Sequence, residues 1–473
     1  MSARLLTISL LLAGCSQGGG PPALTPDLTL GPAADLATAT GGDGGAAQDL
    51  MAPADMALPP AEGKALWGRS YSAVQVQDVA AAPDGSIYLV GSFSRADLGD
   101  GQVTSNGASD GFVIKFDKVG QRLWARTFGR AFSDVPTRVT ADPSGAVAIV
   151  GYSLRTADSG THDAFVAVYA PDGAQRLFRT YGGPDQKAVD TAMAVGFAAD
   201  GGLWISGGFE DRIDLGGGTL IAAGSRDLYL LRISAAGAHV LSRRFGFTGY
   251  DQSSGLSVLP DGDVVIAGTG GYPIDFGDGN VGADPQVDTF LVRFSPGGVA
   301  RWSKRFKVNP YSTTNVTSAA DGSIWYVGDL NGAVDFGGGP RAPATGRGIF
   351  WAHYTGSGAH LGSYVLPASA GIYLTQAAVD STGQLVMGGR AEGDIDFGAG
   401  VTTRADGQAF FFKSAQSGLV RWARRFGGVN SDAVVGVAVL PGDQVVAAVN
   451  LSKTTQIDTV SLPQGGAVLT VTR

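Results

Sequence analysis

Five short segments set an aspartate in the same surroundings: ADLGDG (96–101), IDLGGG (213–218), IDFGDG (274–279), VDFGGG (334–339) and IDFGAG (395–400). An Asp-Phe-Gly tripeptide can hold Mg²⁺, but only beside a Gly-rich phosphate loop, a strand lysine and an H-R-D loop. This chain has none of these companions. Calcium is the sharper alternative, because Asp97/Asp100 and Asp275/Asp278 pair their carboxylates. A hard cation takes six or more oxygens, whereas the other copies supply one carboxylate each. The pattern therefore predicts turns, in which Asp97, Asp214, Asp275, Asp335 and Asp396 accept hydrogen bonds from the amides of their own glycine-rich loops.

A second carboxylate set consists of Asp134, Asp190, Asp251 and Asp432, each ten or eleven residues before a glycine of a tight-turn pair. Gln77, Ser312 and Ile372 stand near the corresponding points elsewhere. Such a set could ring the mouth of a central channel and hold a cation or the hydroxyls of a sugar. It could equally cap the strands that follow, each carboxylate tied to backbone. Two Tyr-bearing loops, FTGYDQS (247–253) and KVNPYST (307–313), add Tyr250, Asn309 and Tyr311 as candidate contacts for a ligand. The four histidines show no HExxH spacing, and neither a Walker loop nor G-x-S-x-G occurs. No catalytic residue and no metal site is expected.

What positions these residues is a repeat. The chain has 473 residues with 73 glycines, 44% apolar residues and no long 3.6-residue periodicity, which reads as short strands joined by tight turns. A net charge of −8 and 16% charged residues exclude a concentrated basic face for nucleic acid. Seven times a glycine is followed four residues later by a mostly apolar residue and eight later by an aromatic or Leu. The copies start at Gly63, Gly120, Gly173, Gly237, Gly298, Gly358 and Gly418. Turn pairs such as Asp84-Gly85 and Asp261-Gly262 recur in step, each with a small residue six positions after the turn glycine: Gly91, Gly151, Gly207, Gly268, Gly328, Gly389 and Ala448. Aromatic strands such as DGFVIKFD (110–117) complete the unit.

Each unit then holds four strands, a to d, and seven units make an all-β, seven-bladed β-propeller over residues 63–473. The last unit runs to GAVLTVTR (466–473) without a d strand, while KALWGRSY (64–71) is a d strand without a unit. The N-terminal strand is expected to complete the last blade and remove two free edges.

The consensus D-x-F-V-x-K-F-D-x-x-G-x-x-x-W-x-R-x-F resembles the bacterial SBBP-type β-propeller repeat, a family that implies the fold and little about activity. Two copies depart from it: one lacks the D-[FL]-G-x-G loop, and one has Gly362 where Trp or Leu is usual. Stretches such as SGLVRW (417–422) resemble the tryptophan-docking repeats of quinoproteins. Those usually number eight, and PQQ dehydrogenases commonly add a cysteine pair, so no cofactor is expected. At the N-terminus, Leu12-Ala13-Gly14-Cys15 closes an apolar run too short to span a bilayer and resembles the lipoprotein signal. That resemblance implies a signal peptide over 1–14, lipidation at Cys15 and, with Ser16 following, the outer membrane. Residues 15–62 read as a lipidated, disordered tether rich in Gly, Ala, Pro and Asp. The expected protein is a monomeric, non-enzymatic platform for an envelope protein or polysaccharide. The alternatives are an outer-membrane assembly scaffold, or a propeller lyase or glycosidase using mouth carboxylates.

Overall fold

Strands a and d of each unit keep polar and apolar residues in rough alternation, but the two middle strands do not. Ile87–Phe93 and Asp110–Phe116 are buried at every position, as are Leu203–Phe209 and Asp227–Ile233. A sheet buried on both faces must have a neighbour on each side, and a ring of sheets supplies one. The computed structural model describes residues 62–156, 160–183, 188–271, 274–279, 288–307, 314–398, 401–402, 408–428 and 432–472. Cys15, Asn309 and Tyr311 lie outside these residues. Among them no helix is long and apolar enough to cross a membrane.

Seven four-stranded antiparallel sheets follow one another in chain order. Blade 1, for example, runs Val74–Ala81, Ile87–Phe93, Asp110–Phe116 and Arg122–Phe128 from axis to rim. Blade 7 is assembled from both ends of the chain: Ala433–Val439, Val445–Leu451 and Gly465–Val471, with Ala65–Tyr71 as its outermost strand. There Trp67 pairs with Thr470 and Arg69 with Val468, closing the ring as the strand phase predicts.

The apolar core divides into seven clusters among the described residues, each shared by two adjacent blades. Each buried Phe or Leu there contributes about 1.5–3 kcal/mol. Around the rim, the side chain four residues after six of the seven landmark glycines reaches across to the landmark glycine of the next blade. Trp67, Trp124 and Trp302 donate their Nε1–H to carbonyls of the neighbouring turn: Lys118 at 3.3 Å, Pro171 at 3.0 Å and Gly356 at 3.1 Å. A methyl group at Gly120 would stand 2.5 Å from the Trp67 ring, and φ there is +81°. Glycine is thus required twice over.

The copy with Gly362 is completed differently. Tyr364, two residues further on, lies against Gly418 and donates to the Gln416 carbonyl at 3.0 Å. A cleft of about 610 Å³ opens beside it between blades 5 and 6. In the last blade the register differs by one residue from the expected one. Asp443 occupies the place of the usual turn glycine, donating to Leu440 at 3.0 Å with φ +66°. Val449, rather than Ala448, consequently pairs at the position of Gly91.

Candidate functional site at the channel mouth

The innermost strands carry one extra residue at an equivalent point in nearly every blade. The ladder skips Gln77, Thr137, Met193, Ser254, Thr375 and Val435 in blades 1, 2, 3, 4, 6 and 7. A bulge of this kind re-aims a side chain. It also folds the preceding backbone over the second strand: a Cβ at Gly207 would come within 1.9 Å of the Thr191 carbonyl oxygen, and one at Gly151 within 2.1 Å of that of Val135. The close approach explains Gly91, Gly151, Gly207, Gly268 and Gly389, whereas blade 7 carries Val449 at this place.

Five of the six bulged residues (Gln77, Met193, Ser254, Thr375 and Val435) line a cavity of about 520 Å³ on the axis, with Arg138, Thr314 and Tyr373 among the other contributors. Residues from all seven blades meet there. Tyr250 and Tyr373 stand on its rim, 49% and 39% exposed. Each ring is backed by a guanidinium: Arg226 lies 5.4 Å from the Tyr250 centroid and Arg390 5.2 Å from that of Tyr373, within cation–π range. Tyr250 is fixed further by its Oη, which accepts from Arg226 at 3.1 Å and donates to Gln252 at 2.6 Å. Hydroxyls deeper in the wall serve the scaffold. Thr137 donates to the Ala192 carbonyl at 2.6 Å and Thr375 to that of Val434 at 2.7 Å, each joining one blade to the next.

One position beyond each bulge, the strands present Asp78, Arg138, Ala194, Gly255, Gln376 and Gly436, with Asn315 at the corresponding pairing in blade 5. Asp78 is buried and accepts from the amides of Val79 at 2.9 Å and Val139 at 3.0 Å. Burial pushes its pKa up, opposed chiefly by the positive charge of Arg138.

The aspartates singled out in sequence lie at the same end of the ring, beneath the loops. Asp134, Asp190, Asp251 and Asp432 are all buried. Asp134, Asp251 and Asp432 each take the amide four residues upstream: Arg130 at 2.7 Å, Phe247 at 3.0 Å, and Gly428. The second oxygen of Asp134 takes the Ser153 hydroxyl, and that of Asp251 the Gly271 amide at 2.6 Å. Asp432 likewise takes the Ser452 amide, and Asp190 that of Glu210 at 3.2 Å. These are caps that bind the d–a connection to the end of strand b in blades 2, 3, 4 and 7, each within its own blade. Asp432 also borders a cavity of about 450 Å³ at the seam of blades 7 and 1. Burial pushes the Asp190 carboxyl up to about 7 and that of Asp251 up to about 6, with backbone amides pulling the other way.

The D-[FL]-G-x-G loops form the turns their spacing predicts. Asp97 accepts from Gly99 at 2.7 Å and Gly101 at 3.1 Å, and Asp335 from Gly337 at 2.7 Å and Gly339 at 3.0 Å. Asp214 accepts from Gly216 and Gly218, Asp275 from Gly277 and Asp396 from Gly398. Among the described residues no group of three or more His, Cys, Asp or Glu is placed to hold a metal ion.

Of the sequence-chosen contacts within the described residues, Tyr250 alone lines the mouth cavity. Arg138, Tyr373, Gln77 and Gln252 were not singled out as contacts. Their signal in sequence is only that they differ from the equivalent residues of other blades.

No protein-family model matches this chain. A 206-residue stretch is 26% identical to the regulatory protein FlaEY of Caulobacter vibrioides, covering 39% of this chain and 21% of that protein. The chain thus matches about a fifth of its relative's length. Among solved structures, YCF48 bound to D1 peptide is similar at 13% identity and a TM-score of 0.41, over 88% of this chain and 100% of that one. The β-propeller domain of the Trilobed protease from Pyrococcus furiosus is similar at 8% identity and 0.43, over 84% and 96%. Puromycin hydrolase is similar at 12% identity and 0.43, over 80% and 50%. At such identities the likeness concerns the fold alone. The class is that of the seven-bladed β-propellers.

Proposed function

We propose that this protein is a lipid-anchored, non-enzymatic binding platform of the bacterial cell envelope, and that its ligand sits at the channel mouth. One observation carries the assignment to the mouth. All seven blades contribute to a single cavity whose lining residues break the repeat, while equivalent positions at the rim keep it. Its volume of about 520 Å³ falls within the range of small-ligand sites, roughly 300–1,000 Å³. A lyase or glycosidase needs paired carboxylates about 5–10 Å apart in a pocket, and the described residues lining the mouth include no carboxylate. The envelope address rests on Leu12-Ala13-Gly14-Cys15 and its resemblance to the lipoprotein signal, and the repeat on its resemblance to SBBP-type propellers.

Two measurements test this. Radiolabelled palmitate is incorporated into the full chain and not into Cys15→Ser, which shifts from the membrane to the soluble fraction. Immobilised full chain retains an envelope polysaccharide or protein, and the Tyr250→Ala/Tyr373→Ala double variant loses it. Retention indifferent to both tyrosines would remove the mouth from the account.

A further inference from the structure

We propose that the mouth selects a saccharide bearing a carboxylate, with Arg138 as the anion-binding group and Tyr250 and Tyr373 as the walls on which sugar rings stack. This rests on the mouth being the binding site and adds the chemistry of what enters it.

Charge comes first. Arg138 is the one charged side chain among the described lining residues. Its hydrogen bond within the protein runs from Nη1 to the Thr137 carbonyl, at 2.8 Å, and leaves the rest of the guanidinium fork available. Asp78, whose carboxylate oxygens accept from the amides of Val79 and Val139, feels the charge of Arg138 without a direct hydrogen bond to it. Asp78 offsets part of the cost of a half-buried cation, and the open side of the fork can still take a partner. A carboxylate matches the fork with two parallel hydrogen bonds.

The neutral groups narrow the class. Gln77 and Ser253 line the same cavity, and Gln77 Oε1 and Ser253 Oγ, both buried behind its surface, have no hydrogen-bond partner. Gln77 Oε1 needs a donor, which a bare carboxylate cannot offer and a sugar hydroxyl can; a hydroxyl can also serve Ser253 in either direction. The tyrosine rings supply the third element. Each is rigidly backed by arginine on the protein side and part-exposed toward the mouth, a flat surface for the apolar C–H face of a pyranose. Anion, hydroxyl and ring recognition in one cavity describe a uronic-acid-type saccharide better than an acidic peptide.

Calorimetry on the full chain tests this with three probes: trimers of galacturonate and of mannuronate, their methyl esters, and hexaglutamate. Binding of at least one uronate trimer is expected. Esterifying that trimer and replacing Arg138→Gln each weaken binding by about tenfold or more. The two changes together cost little more than either alone. Arg138→Lys, which keeps the charge and loses the fork, falls between, and unchanged melting curves confirm that the variants fold. Equal binding of acid and ester would overturn the carboxylate assignment; if that binding were still lost in Tyr250→Ala/Tyr373→Ala, the mouth would stand as a site. Binding of hexaglutamate without either trimer would overturn the saccharide class. Binding of no probe would overturn the proposal while leaving the retention experiment above to judge the platform.

Discussion

The rim and the mouth of this ring are built by opposite rules. At the rim every blade repeats one solution: a large side chain is seated on the next blade's landmark glycine. Where Gly362 breaks the pattern, Tyr364 restores it. At the mouth the backbone repeats, with the same bulge in the same place, but the side chains diverge: Thr137, Ser254 and Thr375 keep a hydroxyl there, whereas Gln77, Met193 and Val435 do not. Seven identical interfaces need seven identical locks, whereas a ligand on the axis meets each blade with a different part of itself. In a cyclic repeat protein, positions of constant geometry and changing residue are therefore where recognition is written.

The contrast breaks most visibly in the scaffold. Gly207→Ala drives a Cβ to within 1.9 Å of the Thr191 carbonyl oxygen. It is expected to cost about 4 kcal/mol or more, or to prevent folding, read by chemical denaturation. Trp422→Ala empties a buried rim lock and should cost about 3–5 kcal/mol. A loss under about 1 kcal/mol would mean that the rim is not what holds the blades together.

The caps give a pH signature. Asp190 titrates near 7 in the folded chain against an ordinary 3.8. The folded state thus binds the extra proton between those values, and stability is fullest below about 4, falls as pH rises to about 7 and is level above. Asp251, raised to about 6, acts in the same direction over a narrower window. Asp190→Asn should flatten the slope of unfolding free energy between pH 4 and 7, and an unchanged slope would contradict the assignment. Smaller still, Asp335→Ala removes two exposed turn bonds and should cost about 1 kcal/mol. Calcium and chelator should leave the melting curve of the native chain unmoved. Smallest of all, Arg138→Gln and Tyr373→Ala should each change stability by no more than about 0.5 kcal/mol.

Sequence periodicity carried the fold far. Blade number, strand order and the closure by Ala65–Tyr71 follow from landmarks spaced along the chain, because each blade is local in sequence. What the landmarks do was less legible. Trp67 and Gly120 read as members of two separate copies, and only the ring brings them together. The five Asp-Phe/Leu-Gly turns were readable because donor and acceptor lie within four residues. The caps at Asp134 and Asp251 were recognisable as a set, but their partners some twenty residues on, Ser153 and Gly271, become neighbours through sheet pairing. Arg138 stayed hidden, since a one-residue bulge leaves no mark of composition. The reversed turn at Gly442-Asp443 hid the register that puts Val449 in the glycine position.

The most direct test compares ligand retention with folded stability in the same set of variants. Tyr250→Ala/Tyr373→Ala should abolish retention and Arg138→Gln weaken it about tenfold or more, both at an unchanged melting temperature, while Trp422→Ala should lower the melting temperature and retain ligand in proportion to the protein that stays folded. Mouth variants that bind as well as the native chain would contradict the separation of lock and reader on which the account depends.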